Sequence, residues 1–114
     1  MNKTLPYIAF GTKFDISLDF SFYSNYNFAV VMNDFSEGYA QPFATLTVNL
    51  DTKEKPYHAF IDVNNLGPDI IKWLEKNNLA TLTGVTRNSG YVSYPEVKFN
   101  KDVLKTFNPD FFSV

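Results

Sequence analysis

From Pro42 to Val63 the chain carries two adjacent runs of period-two hydropathy joined by a polar segment, and no other feature constrains the fold as much. In Phe43 to Leu50, Ala44, Leu46, Val48 and Leu50 alternate with Phe43, Thr45, Thr47 and Asn49, the repeat of a strand with one buried face. In Tyr57 to Val63, Tyr57, Ala59, Ile61 and Val63 alternate with His58, Phe60 and Asp62, and Asp51 to Pro56 joins the two runs. The expectation is a β-hairpin at the centre of a sheet.

The flanking segments add strands on one side and a helix on the other. Thr4 to Phe10 is a short extended piece closed by Gly11. The longest alternation follows, with Phe14, Ile16, Leu18, Phe20 and Phe22 on the core face and Asp15, Ser17, Asp19, Ser21 and Tyr23 on the wet one. Ser24 to Asn27 is a polar turn. Phe28 to Met32 is an unbroken apolar run, as expected of a strand covered on both sides, and Asn33 to Gln41 is a loop rich in turn formers. After Val63 the period lengthens to that of a helix. Gly67, Pro68 and Asp69 supply a start signal, Ile70, Ile71 and Leu74 make an apolar stripe beside Trp73, and Asn77 and Asn78 are stops.

The last third returns to strands. Leu82 to Arg87 and Tyr91 to Phe99 flank Asn88, Ser89 and Gly90, a hairpin with glycine where positive φ is needed. Pro95 lacks a backbone donor, which predicts an edge strand or a bulge. Lys101 to Phe107 reads as a short helix with Asn100 as N-cap and Val103, Leu104 and Phe107 inward. Phe111 and Phe112, beyond Pro109, are either folded back or a partner-seeking tail. These elements predict an α+β fold, a single antiparallel sheet of about five to six strands with one main helix (Pro68 to Asn78) and a short C-terminal helix packed on it. A chain of 114 residues fits a single domain, 1–114.

Composition narrows the chemistry. There is no cysteine, which excludes disulfides, thiolate metal sites and a cysteine nucleophile. The first ten residues lack the length and apolarity of a secretory signal, so a soluble, cytoplasmic protein is expected. A net charge of -2 argues against strong nonspecific nucleic-acid binding. Aromatics make up 18% of the chain, with 12 Phe and 7 Tyr, more rings than one small core absorbs, and the excess Tyr suits a protein interface.

Catalytic constellations are sparse. His58 is the only histidine; with Phe60 between, it stands roughly 13 Å from Asp62 along a strand, too far to share a metal. Asp15 and Asp19 have the same spacing on the wet face of the first long strand, as solubilising charges or as a contact surface for a basic partner. Arg87, Lys98, Lys101 and Lys105 are interleaved with Glu96 and Asp102, which favours a solvated surface, and Tyr91 and Tyr94 alternate onto opposite faces. No glycine-rich phosphate loop is present. The expectation is a chain with no catalytic residue, no metal and no cofactor.

The succession PFATLTVNL (Pro42 to Leu50), AFIDVNN (Ala59 to Asn65), LEKNNLA (Leu74 to Ala80), Thr83 with Gly84, and SGYVSYPEVKF (Ser89 to Phe99) resembles a family of small proteins of unknown function from mobile genetic elements and phages of Gram-positive bacteria. The resemblance covers Phe28 to Phe99 and carries over no catalytic residue. It implies a non-enzymatic anti-defence protein, an anti-CRISPR inhibitor that binds a Cas9-type nuclease by protein-protein contact. The net charge and the lack of a long apolar span lead to no expected direct nucleic-acid or membrane contact, and the Pro95 strand or the Phe111, Phe112 tail leaves monomer or homodimer open. An accessory nucleic-acid-binding or structural protein of a mobile element is the alternative, and a metal-dependent enzyme would need His58 to meet carboxylates from distant segments. Asp15, Asp19, Tyr23 and Tyr26, outside the resemblance, are the expected partner-binding residues.

Overall fold

A computed structural model describes residues 3–113. Strands β1 (Leu5–Ala9), β2 (Thr12–Phe22), β3 (Phe28–Asp34) and β4 (Gln41–Thr45) form one antiparallel sheet in that order. Strands β5 (Thr47–Val48), β6 (His58–Ile61), β7 (Ala80–Ser89) and β8 (Val92–Phe99) form a second, in the order β5-β6-β8-β7. Among the described residues, three short helices, α1 (Val63–Leu66), α2 (Asp69–Lys76) and α3 (Lys101–Leu104), and a 3-10 turn (Pro109–Phe112) complete the fold.

The single sheet of five to six strands is thus corrected to two sheets of four, and the reason lies at Leu46. Its amide donates to Val30 O at 2.9 Å, while its carbonyl accepts from Asp62 N at 3.0 Å. The run expected as one straight strand therefore bends at a fully buried residue, pairing first with β3 and then with β6. Period-two hydropathy encodes which face is buried but not which neighbouring edge receives the hydrogen bonds. The expected hairpin survives as β5 and β6, with Thr47 opposite Ile61 and Val48 opposite Phe60.

Both sheets contribute to one core. Ile16, Leu18 and Phe20 of β2, Phe28, Val30 and Met32 of β3, Ala59 and Ile61 of β6, and Val97 and Phe99 of β8 belong to one buried cluster with Ile70 and Leu74 of α2. The core face of β2 is confirmed at Ile16, Leu18 and Phe20, whereas Ser17, expected on the wet face, is buried, and Phe22, expected in the core, is exposed at the strand end. Ala29 is buried as well as Phe28 and Val30, so β3 is covered on both faces as its apolar run requires. Phe60, assigned to a wet face by its parity, is fully buried on the side opposite Ala59 and Ile61.

Asp62 and Val63 are not part of the preceding strand. Asp62 Oδ1 accepts from Asn65 N at 3.1 Å, an N-cap that starts the single turn α1, and Gly67, at φ +80°, ends it. The main helix then runs from Asp69 to Lys76 with Ile70 and Leu74 buried, and Asn78 at φ +56° breaks it. Trp73 Nε1 donates to Pro6 O at 2.8 Å, and its ring meets Tyr7 edge-on, so α2 is fixed against β1. A helix this short depends on such docking.

Pro95 lies in β8, which is interior in its sheet, and the edges are β5 and β7. The strand of Pro95 is neither an edge nor bulged itself: the register shifts between Leu82 and Thr86, where three residues of β7 stand opposite Glu96 alone, so the irregularity lies in the partner strand. Strand β6 pairs only with Glu96, Val97 and Lys98, so the missing donor of Pro95 breaks no ladder on that side. The C-terminus folds back. Phe112 is buried against Phe20 and Tyr57, and Phe111 stacks on Phe22.

Candidate interaction surface

The four residues expected to bind a partner occupy different settings. Asp15 and Asp19 share the outer face of β2. The first is half-buried and 4.0 Å from Lys13 Nζ, and the second is exposed with Oδ1 accepting from Phe20 N at 3.0 Å. Tyr23 is half-buried, its hydroxyl 2.9 Å from Thr47 Oγ1 and 3.2 Å from Thr47 O. Tyr26 is 77% exposed in the β2–β3 turn, at φ +67°. Asp15 and Asp19 share a strand face without contact, each with its own partner, whereas Tyr23 is occupied in joining β2 to β5.

A surface aromatic that sequence reasoning did not single out is Phe10. Ala9 pairs with Thr12, leaving Phe10 and Gly11 as a two-residue loop with φ +54° and +70°, the backbone of a type I′ turn. Such turns favour Asn or Gly at the first central position, because an L-residue with a large side chain is strained there by roughly 1 kcal/mol. Phe10 is nonetheless 92% exposed, beside a cleft of about 720 Å³ whose lining includes Tyr7, Ile8, Phe43, Ala44 and Leu66. The available signal was the Phe-Gly pair at a strand end. Tyr91, fully exposed, follows Gly90 in the equally short β7–β8 loop, and Tyr39 is exposed between β3 and β4.

Buried polar groups hold the loops that frame these surfaces. The Asn27 amide is buried, with Nδ2 donating to Thr52 O at 2.7 Å and to Asn49 Oδ1 at 3.1 Å while Oδ1 accepts from Glu54 N at 2.9 Å. The β5–β6 loop is thereby tied to the β2–β3 turn. Asp34 accepts from the hydroxyl and amide of Ser36 and from Asp15 N. The Ser36 hydroxyl, followed by the two amides, holds the Asp34 carboxyl below the usual range against an opposing effect of burial.

On the outer face of the second sheet, Glu54 meets Glu96. Burial, then hydrogen-bond contact with Glu96, pushes the Glu54 carboxyl up, opposed by the Thr52 hydroxyl at 3.0 Å and by the charge of Arg87. Glu96 also accepts from Thr83 Oγ1 at 2.7 Å. His58 is half-buried with Nδ1 2.9 Å from Pro56 O, and Asp62 is committed to capping α1. Among the described residues no three His, Asp or Glu side chains converge as a metal site, and no helix is long and apolar enough to cross a membrane.

Comparison with known proteins gives a family and no function. No curated protein and no solved structure matches the chain. A family model described as a domain of unknown function, DUF4313, matches residues 17–114. The match is wider than the span from Phe28 to Phe99 expected from sequence, and it takes in Asp19, Tyr23, Tyr26 and the C-terminal segment, leaving Asp15 outside. The chain belongs to the DUF4313 family of domains of unknown function.

Proposed function

We propose that this protein is a non-enzymatic binding protein that inhibits a partner by docking on it, and that the partner is a Cas9-type nuclease of a host defence system. The observation that carries the docking reading is Phe10, held in a strained turn conformation with its ring in solvent beside a cleft lined by Tyr7, Ile8, Phe43 and Leu66 with Asn64 and Asp69. The ring gains almost nothing from the core in that position, so the strain is best repaid in a complex, where a buried aromatic anchor is worth several kcal/mol. Ile8, also exposed on β1, extends the apolar surface, and Asp15 and Asp19 on the neighbouring strand supply a charged rim suited to a basic partner. Tyr26, Tyr39 and Tyr91 add exposed rings at three other turns.

The choice of a Cas9-type nuclease rests on the resemblance to small proteins of mobile elements. It is tested by co-elution of the purified protein with such an effector and by the effector's DNA cleavage in its presence. A stable complex and slowed cleavage are expected, with Phe10→Asn weakening the complex at least tenfold while relieving turn strain. Absence of both co-elution and inhibition rejects the nuclease as partner. An unchanged affinity in Phe10→Asn rejects the cleft as the docking surface.

A further inference from the structure

Pro56 and Tyr57, at the end of the β5–β6 loop, line two adjoining clefts. One, of about 210 Å³, is bordered by Phe22, Tyr26, Lys53 and Lys55. The other, of about 440 Å³, is bordered by Lys98, Asn100 and Lys101. Lys53 Nζ lies 5.8 Å from the Tyr26 ring centroid and Lys101 Nζ 5.3 Å from that of Tyr57, while His58 pairs with Lys98 in register. Among the described residues Lys13, Lys72 and Lys105 each lie within 4.0 Å of a carboxylate, and Lys53, Lys55, Lys98 and Lys101 have no such ion pair. These four ammonium groups line the two clefts with no carboxylate within 4.0 Å, Lys53 Nζ donating only to the neutral Asn25 O at 3.4 Å, so their charge is free to attract an anionic ligand. Two carboxylates also border the clefts, Glu54 and Glu75, and the first is drawn to Glu96. Tyr57 itself is at φ +60°, a strained backbone for a bulky residue.

We propose that this strip binds single-stranded nucleic acid, with phosphates on Lys53, Lys55, Lys98 and Lys101 and a base stacked on Tyr26. Exposed rings set among lysines favour this ligand over two others. A duplex hides the faces of its bases, and an acidic peptide leaves the rings without a partner. The strip adjoins the β2–β3 turn, at the end of the first sheet away from Phe10, and is a second surface that shares only Tyr26 with the exposed rings named for docking.

The test is fluorescence anisotropy of the whole protein with a labelled oligothymidine of roughly twelve nucleotides, within the usual span of such sites. With four phosphates neutralised at about -0.7 each, log affinity should fall against log salt with a slope of about -3. Tyr26→Ala should weaken binding roughly 5- to 100-fold with the slope unchanged. Lys53→Ala and Lys101→Ala should each flatten the slope by about 0.7, and Lys72→Ala on α2 should change nothing. All four side chains are at the surface, and circular dichroism verifies the fold of each variant. No binding of the oligonucleotide, equal binding of a duplex of the same length, tighter binding of an oligoglutamate peptide, or lysine variants with an unaltered slope would each overturn the proposal.

Discussion

The hydroxyl of Tyr23 lies 2.9 Å from Oγ1 of Thr47, and the same Thr47 oxygen accepts from Val30 N at 3.2 Å. One buried threonine thus links the end of β2 and the middle of β3 to the strand that begins the second sheet. Removing the phenol oxygen in Tyr23→Phe should cost about 1 kcal/mol, lowering the melting temperature by roughly 4 °C for a domain of this size. Chemical denaturation measures it. A variant as stable as the parent would show that Tyr23 is free to serve a partner instead.

Asn27 should be more sensitive. Its amide group satisfies three partners from the β5–β6 loop, and Asn27→Ala leaves Glu54 N and Thr52 O short of a protein partner. A loss of about 2 kcal/mol is expected. Hydrogen exchange at the Glu54 amide should rise by more than the global loss, because the loop opens locally. Uniform changes across the chain would contradict a local tether.

Asp34 sets the acid limb of stability. Its carboxyl is held below the usual value by Ser36 and the amide of Asp15, so its contribution is present above about pH 3.9 and is lost as pH falls through the lower folded-state pKa. Asp34→Asn should therefore destabilise at pH 7, on the order of 1 kcal/mol, and the gap to the parent should close in strong acid. A gap independent of pH would assign the effect to packing rather than to charge.

Glu54 acts in the opposite sense. Its carboxyl is raised by burial and by Glu96, so the folded state holds the proton more tightly than the unfolded chain does. Stability attributable to this group is present below the unfolded value of about 4.3 and is lost as pH rises through the folded pKa. Glu54→Gln should be more stable than the parent at pH 7 and nearly equal to it below pH 4, measured as denaturation midpoints over a pH series. A variant less stable at pH 7 would show that the hydrogen bond from Thr52 outweighs the repulsion from Glu96.

Much of the architecture was legible in the sequence because the relevant signals are local. Period-two hydropathy placed the core face of β2, the unbroken apolar run marked β3 as covered on both sides, and Pro68 with Asp69 marked the start of α2. Turn chemistry requires the positive φ found at Gly90, +61°, and Asn77 and Asn78 end α2 as their residue types dictate. Only the tertiary structure decided that the run from Gln41 to Val48 bends at Leu46 to serve two sheets, since hydrogen bonds to Val30 and from Asp62 are chosen by the packing of distant strands. It likewise decided that Asp62 caps a helix, that Tyr23 is tied to Thr47, and that Lys53 and Lys55 lie on the strip that holds Lys98 and Lys101. Sequence spacing determines which side chains share a face of one element. Which faces meet is a property of the assembled core.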